Sequence, residues 1–131
     1  MSLQGINKAW LILEFTQAVG QATTPALVQA TSISAGTNKA GPASDIWANE
    51  DTAATDTLVK KTAAASYAVT NDIKNKEVVF EIDPSRFDVA NGYDCCYFTI
   101  ATSSQASNFV SGTFILQTSF QQATPTTQIL D

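Results

Sequence analysis

The fold of this chain is decided by three consecutive stretches of its C-terminal third, VVFEID (78–83), SRFDVANGYDCCYFTIATS (85–103) and FVSGTFILQTSF (109–120). Apolar side chains recur in them at every second position, which is the period of a β-strand with one buried face. Residues that favour chain reversal follow or interrupt them, at Asp83-Pro84, Asn91-Gly92 and Ser103-Ser104. The C-terminal third therefore predicts antiparallel strands joined by turns.

The same alternation occurs near the N-terminus, in AWLILEF (9–15), which is rich in strand formers and too short for a typical helix. If Leu11 and Leu13 face the core, then Trp10 and Ile12 lie on the opposite face. Two large apolar residues on the second face indicate that this face is not simply turned to solvent.

The middle of the chain is less regular. Pro25–Ile33 predicts a second strand, whereas 37–57 contains Gly41-Pro42 and many small residues, with Trp47 in its main apolar cluster, and so predicts a long loop. The Ala- and Thr-rich stretch 52–65 predicts more loop with one short element near Leu58-Val59, weakly helical in character.

Together these segments predict an all-β fold, an antiparallel β-sandwich that is jelly-roll-like, with one long loop and little helix; a small barrel is the alternative. A chain of 131 residues is long enough for one core without metals or disulfides. We expect a single domain, 1–131, with extensions at 1–8 and 121–131.

The composition restricts the partners. The chain carries 12 acidic and 7 basic residues, a formal charge of -5, so neither nucleic acid nor an anionic membrane surface is an expected partner. Only 15% of residues are charged, which suits a surface covered by neighbouring subunits. The N-terminus MSLQGINKAW lacks the features of a secretory signal, so we expect synthesis in a cytoplasm.

The reactive residues predict no enzyme. The chain has no histidine, and the adjacent Cys95 and Cys96 have Asp94 as their nearest charge, which would raise a thiol pKa. The carboxylate pairs Glu81 with Asp83 and Glu50 with Asp51 are expected to be solvated rather than to do acid-base work or to hold calcium. No phosphate loop, dinucleotide fingerprint or zinc spacing is present. We expect no catalytic residue, cofactor or metal.

Large apolar residues on the second faces of the strands leave two interpretations open. They form either the inner face of an opposing sheet or a subunit interface, because a small monomer rarely leaves so much apolar bulk in water. Trp47, in the predicted loop, is also the best candidate for stacking on a sugar ring. The candidate interface residues are Trp10, Ile12, Trp47, Tyr97, Phe109, Ile115, Ile129 and Leu130, the last two as an anchor in the polar tail.

The order of several segments resembles a group of small phage structural proteins encoded near the major capsid protein. The segments are PALVQATSISAGTNKAG (25–41), VVFEID, SRFDVANGYDCCYFTIAT (85–102) and GTFILQTSFQQATP (112–125). The likeness spans most of the chain from Ala9 onward and lies in turns and strand edges. The chain departs from it in the insertion 41–65 and in the tail after Phe120.

The resemblance implies a virion component, a capsid decoration or cement protein on the capsid surface that binds the major capsid protein. The residues themselves add the expectation of a homo-oligomer, such as a trimer, whose termini reach across interfaces. A head-fibre or tail-associated module that binds a glycan or receptor is the alternative. The sequence does not separate shell decoration from a head-tail connector or tail component.

Overall fold

Eight β-strands form the framework of the part of the chain that the computed structural model describes, residues 1–101 and 105–119. They are β1 (Ile6–Thr16), β2 (Pro25–Ala30), β3 (Asn38–Ala40), β4 (Ser44–Asn49), β5 (Val59–Ala64), β6 (Asn75–Ile82), β7 (Cys95–Ile100) and β8 (Phe109–Thr118). Two 3-10 turns, Pro84–Arg86 and Val89–Asn91, lie between β6 and β7.

The strands make two antiparallel sheets. The larger has the order β5-β4-β6-β1-β8 and the smaller the order β3-β2-β7. One buried apolar cluster takes side chains from both sheets, among them Leu11 and Phe80 from the larger and Leu27 and Cys96 from the smaller. The predicted all-β sandwich is confirmed, whereas jelly-roll connectivity stays a prediction.

Alternation along β1 and β6 fixes which face of the larger sheet is buried. Leu11, Leu13 and Phe15 are each at most 3% exposed and line the inner face, as predicted. Burying each such side chain contributes about 1.5–3 kcal/mol. A register slip of one residue would turn all three outward, so the pairing of β1 with β6 is strongly specified.

The long loop predicted for 37–57 is wrong, because β3 and β4 lie within it. β4 is an interior strand between β5 and β6, with Ile46 and Ala48 buried in the core and Trp47 on the outer face. The weakly helical element predicted near Leu58-Val59 is also wrong: strand β5 begins at Val59. The predicted strand Pro25–Ile33 ends early, at Ala30.

The turn chemistry after β6 is confirmed. Asp83 caps the first 3-10 turn by accepting a hydrogen bond from the Ser85 backbone N–H at 2.9 Å, and Pro84 begins that turn. Gly92 ends the second turn with φ of 84°, a conformation that glycine adopts without steric cost. These two turns set the spacing between β6 in one sheet and β7 in the other.

The first residues of the chain pack against the smaller sheet. Leu3 is buried in the core, and its backbone N–H donates to the Asp94 carbonyl at 2.8 Å. Met1 exchanges backbone hydrogen bonds with Cys96, on the open side of β7. The stretch expected as an N-terminal extension, 1–8, thus includes core contacts and the start of β1. The predicted reversal at Ser103-Ser104 and the extension 121–131 lie outside the described residues.

Candidate binding face on the larger sheet

The outer face of the larger sheet, turned away from the smaller sheet, carries a continuous apolar surface. In the strand pairing Val79 lies between Ile12 and Trp47, and Trp10 lies beside Ile115. Directly opposed side chains in such a sheet have Cβ atoms about 5 Å apart. We call these five residues, Trp10, Ile12, Trp47, Val79 and Ile115, the outer-sheet patch.

The exposure of the patch is graded across the sheet. Val79 is 9% exposed although it lies on the outer face, because Ile12 and Trp47 flank it directly. Ile115, on the edge strand β8, is 49% exposed. The patch is therefore packed at its centre and open toward β8.

Ion pairs border the patch on one side. Lys8 Nζ lies 2.5 Å from Glu81 and 5.8 Å from the centre of the Trp10 ring. Lys60 Nζ lies 3.0 Å from Asp45 and 5.3 Å from the centre of the Trp47 ring. Each lysine thus neutralises a carboxylate and also makes a cation–π contact with a patch tryptophan.

These ion pairs offset a charge repulsion within the sheet. Asp45 and Glu81 are directly opposed in the pairing of β4 with β6, and like charges in that position destabilise a sheet. The Lys60 hydrogen bond lowers the pKa of Asp45, and Arg86, 3.9 Å away, acts in the same direction. The result is an apolar centre with a charge-compensated polar rim, the usual anatomy of a protein interface.

The structure brings four of the eight predicted interface residues together: Trp10, Ile12, Trp47 and Ile115. Phe109 is on the same face of β8 but six residues along the strand, roughly 20 Å from Ile115. Tyr97 lies in β7 of the smaller sheet, where it pairs with Val28. Ile129 and Leu130 lie outside the described residues.

A buried polar cluster that was not predicted from the sequence lies at the inner face of the larger sheet. Lysine is rarely buried, but Lys76 is 1% exposed and shares the inner face of β6 with Val78 and Phe80. Its Nζ donates to the backbone carbonyl and the hydroxyl of Thr70, both at 2.7 Å, and lies 3.8 Å from Glu50. Alternation was the signal for it, because residue 76 has the parity of 78, 80 and 82.

Glu50 is the centre of that cluster. Its carboxylate accepts hydrogen bonds from the hydroxyls of Tyr67 and Thr70, so the prediction that Glu50 is simply solvated is wrong. Burial, and then the hydrogen bond to this carboxylate, raises the pKa of Tyr67. Burial lowers the pKa of Lys76, although Glu50 opposes this effect. Every polar group in the cluster has a partner, so we assign it a structural role.

The other chemically notable side chains are also engaged. Asp51 pairs with Lys74 at 2.8 Å, and the Asp83 carboxylate caps a 3-10 turn. Cys95 and Cys96 are both free and buried. Burial raises the pKa of Cys95 and raises that of Cys96 to about 11, which leaves both thiols protonated at neutral pH.

Within residues 1–101 and 105–119, no group of three or more cysteine or acidic side chains is arranged to hold a metal ion. The same residues contain no helix long and apolar enough to cross a membrane. No protein family, curated protein or solved structure matches this chain. The candidate binding face therefore rests on its own geometry.

Proposed function

We propose that this protein is a non-enzymatic bacteriophage virion structural protein, a capsid decoration or cement protein that binds the major capsid protein on the outside of the head. The outer-sheet patch would be the docking surface. Its role would be to bridge shell subunits and so to stabilise the head.

The observation that carries the proposal is the outer-sheet patch with its paired rim. Trp10 and Trp47 are the residue type most enriched at binding hot spots, and both lie half-buried on the outer face of the larger sheet. Lys8 and Lys60 are held by carboxylates, so their charges are compensated before a partner arrives. Such a surface suits a broad, flat protein partner better than a small molecule in a cleft.

The direct test is binding to heads assembled from the major capsid protein of the same phage. Purified protein added to such heads should co-sediment with them and raise their melting temperature. Trp47→Ala should weaken binding by roughly 30-fold or more, the effect of losing a hot-spot side chain. Tyr97→Ala, on the smaller sheet, is the matched control and should bind as the native protein does.

Unchanged binding of Trp47→Ala, with loss of binding in Tyr97→Ala, would assign docking to the smaller sheet. Absence of any binding to heads would refute the decoration role. A gene position beside tail genes rather than the major capsid gene would favour a head-tail connector or tail component.

A second candidate is a head-fibre or tail-associated module that binds a glycan or receptor. Trp10 and Trp47 on one open face favour it, because indole rings stack on the apolar faces of sugars. Screening on a glycan array separates the two functions: a glycan binder gives saturable signals that Trp47→Ala abolishes, and a decoration protein gives none.

A further inference from the structure

We propose that β8 is a self-association edge, at which two copies of this chain join their larger sheets into one continuous ten-stranded sheet across a two-fold axis. The partner is a second copy of the same chain, and the contact is antiparallel pairing of β8 with β8. This inference does not rest on the proposed capsid role, since it concerns the backbone edge of β8, which shares only Ile115 with the outer-sheet patch.

Three of the four described edge strands of the two sheets carry features that discourage pairing with another chain, and β8 does not. β5 carries Lys60 and Lys61, and charged side chains on an edge discourage pairing with another chain. β3 has only three residues, and the open side of β7 is partly covered by Met1 and Ser2. Among the described strands, these three edges all carry one of the usual protections.

Within the described residues, β8 shows none of those protections between Phe109 and Gln117. From Phe109 to Thr118 it has ten residues with no charge and no proline, and within the described chain it has a neighbouring strand, β1, on one side only. Both of its faces carry exposed apolar side chains: Phe109 and Ile115 on the outer face are 67% and 49% exposed, and Val110 and Leu116 on the inner face are 40% and 45% exposed. An edge of this kind is a template for strand addition.

Charge also indicates where on the surface two copies of this chain would meet. A protein of net charge -5 repels its own copies through most of its surface. The one long uncharged edge is where two copies approach with least repulsion, and a two-fold axis makes any such edge complementary to itself.

The register follows from the faces of the strand. A two-fold axis normal to the sheet keeps outer faces together, so odd residues of β8 oppose odd residues of the second copy. Centring the axis on Thr113 opposes Gly112 with Phe114 and Val110 with Leu116. Val110 and Leu116 then form an apolar cross-strand pair on each side of the axis.

The contact is expected to be reversible. It consists of a single strand pair, whereas standard stable complexes bury a broader surface of roughly 800 Å² per partner. The other candidate occupant is the chain's own segment 120–131. It has Pro125 at its centre, where a strand paired along β8 would give up a ladder hydrogen bond.

The test is the oligomeric state of the full chain in sedimentation equilibrium from 1 μM to 1 mM. We expect a reversible change from 13.9 kDa to twice that mass. Thr113→Lys, which places two ammonium groups opposite each other at the axis, should raise the dissociation constant at least tenfold, and so should Thr113→Glu. An equimolar mixture of the two variants should restore a dimer, because the opposed charges are then of opposite sign. Thr62→Lys, an exposed threonine on β5, is the matched control and should dimerise normally.

A disulfide gives an independent readout of the register. Thr113→Cys should cross-link to a dimer under oxidation, since opposed Cα atoms at either kind of antiparallel pair are within disulfide range. Thr62→Cys should not cross-link, and the native thiols are buried and contribute little background.

A monomer throughout the concentration range, as expected if segment 120–131 occupies the edge, would overturn the inference. So would a trimer, or a dimer that Thr113→Lys leaves unchanged. Trp47→Ala separates the two proposals, because it should leave dimerisation intact while it weakens binding to heads.

Discussion

Removing the Glu50 carboxylate should destabilise the protein more than removing the Lys76 ammonium, although the two form one ion pair. The perturbations are Glu50→Ala and Lys76→Met. The Lys76 side chain is 0% exposed, whereas that of Glu50 is 26% exposed, so the two charges do not have equal access to water when left alone.

The magnitudes follow from what each variant leaves behind. In Glu50→Ala a fully buried ammonium keeps its bonds to Thr70 but loses its counter-charge at 3.8 Å. Tyr67 also loses an acceptor, and an uncompensated buried charge of this kind costs about 3 kcal/mol. In Lys76→Met an apolar chain of similar length fills the space, and the carboxylate left behind keeps both hydroxyl donors and some water. The free energy of unfolding should fall by only about 1 kcal/mol. The variant loses the hydrogen bonds of the ammonium, but it also no longer has to bury a charge.

Urea unfolding at pH 7, with equal m-values as a check on the comparison, measures both changes. The double variant should cost clearly less than the two single losses combined, because removing Lys76 also removes the charge that Glu50→Ala would strand. Glu77→Ala, on the outer face of the same strand and opposite Glu14, is the control and should cost less than about 0.5 kcal/mol. If Lys76→Met proved as costly as Glu50→Ala or costlier, the argument from unequal burial would be wrong.

Three further outcomes are expected. The free energy of unfolding should fall as the pH drops below about 4, because four aspartates have a lower pKa in the folded state than in the unfolded state. They stabilise the fold above the unfolded-state pKa, and this stabilisation is lost as the pH falls through the folded-state pKa. Melting temperatures from pH 6 to pH 2 would show the loss, and a flat profile would contradict it. These residues are Asp45, Asp51, Asp83 and Asp88. Gly41→Ala should lower the free energy of unfolding by about 2 kcal/mol, because its Cβ would lie 2.7 Å from the Leu27 carbonyl oxygen, a backbone atom that cannot change rotamer to relieve the clash. Urea unfolding measures this loss, and an unchanged midpoint would refute the argument. In a thiol-labelling assay the native protein should react at neither cysteine. Leu3→Asp should detach the first residues from the smaller sheet, so that Cys95 becomes exposed and Cys96 stays protected. Labelling of both cysteines would indicate general unfolding instead.

Strands with a clean alternation could be predicted from the sequence. In β1 and β6 the residues of one parity are almost all large and apolar, so the core face follows from hydrophobic burial alone, as Leu11 and Phe80 show. The turn around Asp83-Pro84 and Asn91-Gly92 was equally readable, because proline and glycine restrict the backbone directly.

Strands β3 to β5 could not be predicted in the same way. β5 carries Lys60 and Lys61 among small residues, so the features that protect an edge made the segment resemble a loop. In β4 only Ile46 and Trp47 are large, and Gly41-Pro42 precedes them, which hid a central strand. As a result, Trp47 was expected on a loop, whereas it lies on the outer face of the sheet, beside Val79.

Five of the eight expected interface residues share the outer face of the larger sheet, four of them in one patch, because alternation places side chains correctly within each strand. Sequence cannot tell which sheet a strand joins, and for that reason Tyr97 was grouped with residues of the opposite layer. Lys76 was missed because lysine is rarely buried, and its partner Glu50 is 26 positions away in the chain.

The uneven protection of the sheet edges also limits how large any assembly built by strand addition can become. A sheet with two bare edges can add copies without end and grow into a fibre. Here β5, at the far edge of the larger sheet, is short and carries two lysines, so a copy joined at β8 presents only lysine-bearing edges to the next copy. Growth by this route would stop at two, which allows a bare strand to persist without making the protein prone to polymerise.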